Sequence, residues 1–111
     1  MSAVVCLCAA APQLRRPLPS PVMASAQSDI VLDCNLMDCE EASSAAVIKW
    51  FKNGEVVVTS DYFLVDQSGR RLRILGLLAS DAGVYQCFVS NDAGVVQSAV
   101  LLSVLPLGSL L

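Results

Sequence analysis

Residues 72–87 are LRILGLLASDAGVYQC, and this stretch decides the fold. Leu72 and Ile74 alternate as one face of a strand, and Leu77 continues the apolar set. The alternate positions that follow carry Asp81, Gly83, Tyr85 and Cys87, which places them on one side of a second strand and its lead-in. Aspartate and glycine also suit a turn, since the Asx side chain accepts local N–H bonds and glycine tolerates a tight path. The pattern predicts two strands joined by a short turn.

A tyrosine two residues before a cysteine resembles the tyrosine corner of immunoglobulin sandwiches, where the phenol packs under a turn and bonds to its backbone. In that family a second cysteine lies on the facing sheet, with a tryptophan between the two along the chain. Cys34 and Trp50 hold those positions here. The resemblance implies an all-β, immunoglobulin-like sandwich of two antiparallel sheets, with a disulfide between Cys34 and Cys87. The resemblance places four residues in the core of this sandwich: Trp50, Leu72, Ile74 and Tyr85. The alternative is that they form the core of some other β domain.

Length and composition narrow the function classes. The chain has 111 residues, enough for one domain, and a net charge of −3, so it lacks the basic footprint of a nucleic-acid binder. It contains no histidine, which removes the usual general base and the usual zinc ligand. No apolar run approaches the 18 or so residues of a membrane span. We therefore expect no catalytic residue, no cofactor, no metal, no small-molecule substrate and no membrane span.

Five cysteines stand at positions 6, 8, 34, 39 and 87. A disulfide between positions 34 and 87 favours an oxidising, extracellular compartment. Cys6 and Cys8 are one residue apart, too close for comfortable disulfide geometry. For Cys39 three states stay open: a solitary thiol, an intermolecular disulfide, or a bond with Cys6 or Cys8.

The chain divides into three parts by composition. Residues 1–20 form an apolar and proline-rich segment, either a weak signal peptide or disordered. The signal is weak because Arg15 and Arg16 follow the apolar run instead of preceding it. Residues 21–105 form the immunoglobulin-like domain, and residues 106–111 a C-terminal tail.

Alternation of apolar and polar residues predicts the strands within the domain. They are expected at residues 21–26, 29–35, 47–52, 55–58, 60–65, 71–75 and 95–104. One further strand contains Cys87 and ends at residue 90. Asn53-Gly54 predicts a two-residue type I′ hairpin, and residues 91–94 a second hairpin. Arg70, Arg71 and Arg73 form a basic cluster, interpreted as a solvated outer face in preference to a glycosaminoglycan contact.

Residues 21–105 are similar to the I-set of immunoglobulin domains. More narrowly, KNGEVVVTSDYF (52–63) with RLRILGLLASDAGVYQC (71–87) resembles the immunoglobulin domains of the DCC and neogenin family of guidance receptors. That family carries immunoglobulin domains, fibronectin type III repeats and a membrane span, and binds netrins and repulsive guidance molecules. The segment MDCEEASSAA (37–46) departs from the family, and no family contact residue falls on a matching position here.

The resemblance implies a non-catalytic recognition or spacer module of a cell-surface receptor or adhesion protein, with axon guidance as its setting. It would be extracellular, at the cell surface or a secreted fragment, and its partners would be a protein ligand or neighbouring receptor domains. Exposed hairpins suggest contacts at Lys52, Asn53 and Glu55, and at Asn91 and Asp92. The alternative is an intracellular structural I-set module of a sarcomere-type protein, with reduced cysteines. An antigen-receptor variable domain fits less well, because such a domain needs a longer C′–C″ segment than the short C′ region after residue 54 provides.

Overall fold

The computed structural model describes residues 11–36 and 46–106. Their backbone forms strands and one short 3₁₀ helix, Ala79–Asp81. The strands are β1 Val22–Ser25, β2 Ile30–Asp33, β3 Val47–Lys52, β4 Glu55–Val56, β5 Phe63–Val65, β6 Arg71–Ile74, β7 Gly83–Asn91 and β8 Gly94–Leu105. The predicted all-β class is confirmed.

The strands form two sheets that pack face to face. One has five strands in the order β1-β8-β7-β3-β4, and the other has three in the order β2-β6-β5. Neighbours are antiparallel except β1, which runs parallel to β8. Side chains that alternate toward the space between the sheets form the core. The buried apolar residues are Leu18, Leu32, Cys34, Trp50, Leu72, Ile74, Leu77, Tyr85, Cys87, Val89, Val100 and Leu102.

The observed strand limits agree best with the predicted ones where a tight hairpin fixes them. The strand predicted at residues 47–52 is β3, with the same limits. The strand predicted at 60–65 begins only at Phe63, because a turn occupies the residues before it. In that turn the Ser60 backbone N–H donates to the Phe63 carbonyl at 2.8 Å, and the Ser60 hydroxyl accepts from the Phe63 N–H at 3.2 Å.

The proline-rich segment before position 21 is partly built into the sandwich. Leu14 forms an isolated bridge with Leu36, and the Leu18 N–H donates to the Ser98 hydroxyl at 2.7 Å. Leu18 is 4% exposed and belongs to the core. The packed unit therefore starts earlier than the predicted boundary, because the extended backbone that proline favours can lie along a sheet edge.

Three predictions from the sequence concern residues outside the described ranges. They are the signal peptide at the N-terminus, the pairing of Cys6, Cys8 and Cys39, and the tail after residue 106. Within the described ranges, no helix has both the length and the apolar character to cross a membrane.

Candidate functional site

The centre of the sandwich is a disulfide between Cys34, which follows β2, and Cys87 on β7. Their Cα atoms lie 6.1 Å apart and both residues are fully buried. Trp50 is the register partner of Cys87, and its indole N–H donates to the Gly69 carbonyl at 2.8 Å. The two sheets and the turn before β6 are thereby tied together, which makes this cluster structural.

The turn before β7 is organised by Tyr85 and Asp81. The buried Tyr85 hydroxyl donates to the Asp81 carbonyl oxygen at 2.6 Å. The Asp81 carboxylate accepts from the Leu78 N–H at 2.8 Å and is itself 4% exposed. Burial, together with the nearby charge of Asp81, raises the pKa of the Tyr85 phenol. Both polar side chains are satisfied within the turn, so they hold the backbone in place.

The first hairpin connects β3 to β4 and reaches across to β7. Asn53 and Gly54 have positive φ values of 51° and 85°, as the type I′ turn requires. The Asn53 N–H donates to the Val84 carbonyl at 2.8 Å, and its side-chain oxygen accepts from the Val84 N–H at 2.9 Å. Gly83 leaves room for this contact, since a Cβ there would lie 2.7 Å from the Asn53 oxygen. The Asn53 side chain is therefore already hydrogen-bonded within the domain.

The Lys52 side chain is also hydrogen-bonded within the domain. Its ammonium group donates to the Ser80 carbonyl oxygen at 2.6 Å, across a sequence separation of 28 residues. Glu55, opposite Lys52 in the register, is exposed. Of the three candidate contacts in this hairpin, Glu55 has the side chain most available to a partner.

The second hairpin connects β7 to β8 through Asp92 and Ala93. Asn91 pairs with Gly94, and its side-chain oxygen accepts from the N–H groups of Ala93 at 2.8 Å and Gly94 at 3.1 Å. Asn91 thus builds the turn, as Asx residues commonly do. Asp92 is exposed at the tip.

The two hairpins lie at opposite ends of the five-stranded sheet. Lys52 is opposite Tyr85 at the start of β7, whereas Asn91 ends that strand. Six residues at about 3.3 Å each separate these positions by roughly 20 Å. Glu55 and Asp92 therefore do not form one contact patch.

The outer face of the five-stranded sheet is largely apolar. Phe51 and Phe88 meet edge to face with ring centroids 5.2 Å apart, and Gln86 donates to Gln97 at 3.0 Å. Where β3, β4, β7 and β8 pair with one another, the side chains that face outward are Val47, Lys49, Phe51, Val56, Val84, Gln86, Phe88, Ser90, Val95, Gln97, Ala99 and Leu101. Among these twelve, Lys49 is the charged one. Such a surface is typical of a protein-recognition face.

The outer face of the three-stranded sheet is mixed in charge. Arg71 donates to the Asp33 carboxylate at 3.2 Å, and both side chains are substantially exposed. Arg73 lies on the same side of β6, beside Val31 and Leu64. Because Asp33 neutralises part of the cluster, this face matches a solvated outer surface better than a polyanion site.

Comparisons with known proteins agree with this geometry. The family model of the immunoglobulin I-set domain matches residues 12–104. Neogenin of Rattus norvegicus is 39% identical over 87 residues, which are 78% of this chain and 6% of that protein. The netrin receptor DCC of Homo sapiens is 40% identical over 86 residues, again 78% of this chain and 6% of the receptor. The chain thus corresponds to a small fraction of these relatives.

Solved structures give the same fold. The crystal structure of the titin M10–obscurin-like 1 Ig complex matches with a TM-score of 0.74 at 26% identity, covering 86% of this chain and 95% of that one. The fold, the cross-sheet disulfide and the tyrosine turn define an immunoglobulin-like domain. The chain belongs to the I-set family of these domains, and its resemblance to DCC and neogenin is confirmed.

Proposed function

We propose that this domain is an extracellular recognition or spacer module of a cell-surface receptor or adhesion protein of the DCC and neogenin type. The observation that carries the proposal is the 39–40% identity to these receptors over 78% of the chain. The buried Cys34–Cys87 disulfide supports it, because such bonds persist in oxidising compartments. Axon guidance is the corresponding biological setting.

The path of the chain suits a spacer. A Cβ at Gly94 would lie 2.9 Å from the Cβ of Ala11, which places residue 11 beside the second hairpin. Leu105 pairs with Ser25 at the other end, past the level where Gly83 meets Leu102. Because the chain enters and leaves at opposite ends, copies of such a unit can follow one another in a row.

Recognition would use surfaces that the fold leaves available. Glu55 and Asp92 offer isolated acidic contacts at the two ends, and the apolar outer face around Phe51 and Phe88 offers the larger area. Buried aromatic anchors dominate the binding energy of most protein interfaces. We therefore expect Phe88→Ala to weaken binding of a protein ligand more than Glu55→Ala or Asp92→Ala.

Cell-surface exposure is tested by chemical labelling of intact cells that express the natural protein. Lys49 is exposed on the outer face, so an amine reagent that cannot cross membranes should modify it. Peptide mapping then reports the modified fraction, with permeabilised cells as the control. Labelling in intact cells supports the proposal, and labelling that requires permeabilisation contradicts it.

A second candidate is an intracellular structural module. The titin M10 match, at 26% identity and over 86% of the chain, favours it. In that case Cys34 and Cys87 would be thiols in the cell, and the labelling experiment would fail in intact cells.

A further inference from the structure

The sheet edges of this sandwich are protected unequally. An edge strand presents unpaired backbone groups that can pair with another chain, and proteins usually block such edges. The edge at β5 is covered by the Ser60 turn, which bonds both backbone groups of Phe63. At β1, Pro19 and Pro21 precede the strand and lack donors. Within the described part of the chain, neither a turn nor a proline covers the edge at β4, which is two residues long and carries one charge, on Glu55.

Residues 57 and 58 follow β4, which ends at Val56, along the same edge. Lys52 and Glu55 form the pair that closes the two-residue hairpin, and the Val57 N–H donates to the Trp50 carbonyl at 2.8 Å. Residues along a strand alternate in the direction of their N–H and C=O groups. The backbone groups of Val56 therefore point away from β3, toward the open side, and an extended path through Val57 directs those of Val58 the same way. Among the described residues, neither has a backbone hydrogen bond outside the β3–β4 ladder.

The side chains fit the same arrangement. Val57 packs against the core, whereas Val56 is 56% and Val58 71% exposed. The run Glu55-Val56-Val57-Val58-Thr59 is rich in β-branched residues, which favour strands. It is a short, open and apolar edge.

We propose that this edge pairs with the same edge of a second copy of the domain, antiparallel, so that two five-stranded sheets become continuous. In the matching register Val56 lies opposite Val58 of the second copy, and Val57 lies opposite Val57. The two Val56–Val58 pairs then exchange four backbone hydrogen bonds. This self-association does not depend on the receptor function.

Charge and sequence select this partner and this direction. In the antiparallel register Glu55 lies opposite Thr59, so no charges of like sign meet. Parallel pairing would place Glu55 beside Glu55, which is destabilising. The valine run is complementary to itself, because apolar β-branched residues then face each other on both sides of the sheet. The interface is small, so the dimer is weak and forms at high local concentration.

Hydrogen exchange in the unaltered chain tests the pairing residue by residue. The natural full-length chain is used after native alkylation of its free thiols, so that no intermolecular disulfide contributes. Between a dilute sample and about 1 mM protein, we expect exchange at the amides of Val56 and Val58 to slow by about tenfold. Exchange at Val57, which is already bonded, should not change. Equal exchange rates at the Val56 and Val58 amides in the two samples would overturn the proposal.

Sedimentation velocity with two variants separates the edge from the outer face. Val58→Pro removes an outward N–H that the monomer does not use, and it should abolish the dimer. Val95→Lys is the control, since Val95 is 63% exposed on the outer face but lies on β8. Trp50 fluorescence verifies that both variants are folded. A dimer that survives Val58→Pro, a dimer lost in Val95→Lys, or a wild-type monomer at about 1 mM each contradicts the edge pairing.

Discussion

The Tyr85 hydroxyl donates a 2.6 Å hydrogen bond to the carbonyl oxygen of Asp81, four residues earlier, and both residues are buried. Tyr85→Phe leaves that carbonyl without its partner, so we expect the free energy of unfolding to fall by about 1–2 kcal/mol. Urea denaturation measures the change. Tyr62→Phe is the control, because Tyr62 is 45% exposed, and its effect should be near zero. Equal effects of the two substitutions would mean that the bond contributes nothing.

Alkaline pH should act on the same residue. The folded-state pKa of Tyr85 is raised by burial and by Asp81, so the folded domain holds the phenolic proton more tightly than the unfolded chain does. This contribution to stability is complete below about pH 10, the ordinary tyrosine pKa, and is lost as the pH rises toward the folded value. Absorbance titration of Tyr62→Phe follows Tyr85 alone. We expect ionisation to coincide with unfolding, and reversible ionisation of a folded domain near pH 10 would disprove it.

Asn53 should contribute to stability and not to ligand binding alone. Asn53→Ala loses the bond to the Val84 N–H and places alanine at a φ of 51°, so we expect a loss of about 2 kcal/mol in chemical denaturation. Asn53→Gly removes the bond but tolerates the angle, so its loss should be smaller. Asp92→Ala, at an exposed tip, should change the unfolding free energy little. The prediction fails if Asn53→Ala is as stable as Asp92→Ala.

Leu18 should behave as a core residue despite its proline-rich surroundings. It is 4% exposed, so Leu18→Ala is expected to lower the free energy of unfolding by about 2–4 kcal/mol. Leu78→Ala removes the same atoms from a side chain that is 56% exposed and serves as the control. Thermal unfolding of the two variants gives the comparison. A segment that does not pack on the domain would give two similar, small losses.

Local patterns predict this fold well where the determinants are close in sequence. Asn53-Gly54 sets the hairpin between β3 and β4 because both positions need positive φ. The spacing from Asp81 to Cys87 likewise predicts the tyrosine turn, because the contacts of that turn join residues close in sequence. The role of Leu18 was missed because proline-rich composition indicates an extended chain but not what that chain packs against.

The candidate contacts show where sequence patterns are insufficient. A hairpin tip is expected to be exposed, and Asn53, Glu55 and Asp92 are exposed. The side chains of Lys52 and Asn53 are nevertheless bonded to backbone groups 28 and 31 residues away, and such contacts leave no signal in a single sequence. The distance between the two hairpins also depends on strand register, which the pattern of apolar residues does not reveal.

The redox state of Cys34 and Cys87 in the natural protein tests the extracellular assignment most directly. Cells that express it are lysed in a thiol-blocking reagent, and the peptides containing the two cysteines are mapped by mass spectrometry before and after reduction. We expect one linked peptide pair joined through positions 34 and 87, with no blocked thiol at either cysteine. Recovery of both cysteines as blocked thiols would rule against the extracellular assignment and favour the intracellular module.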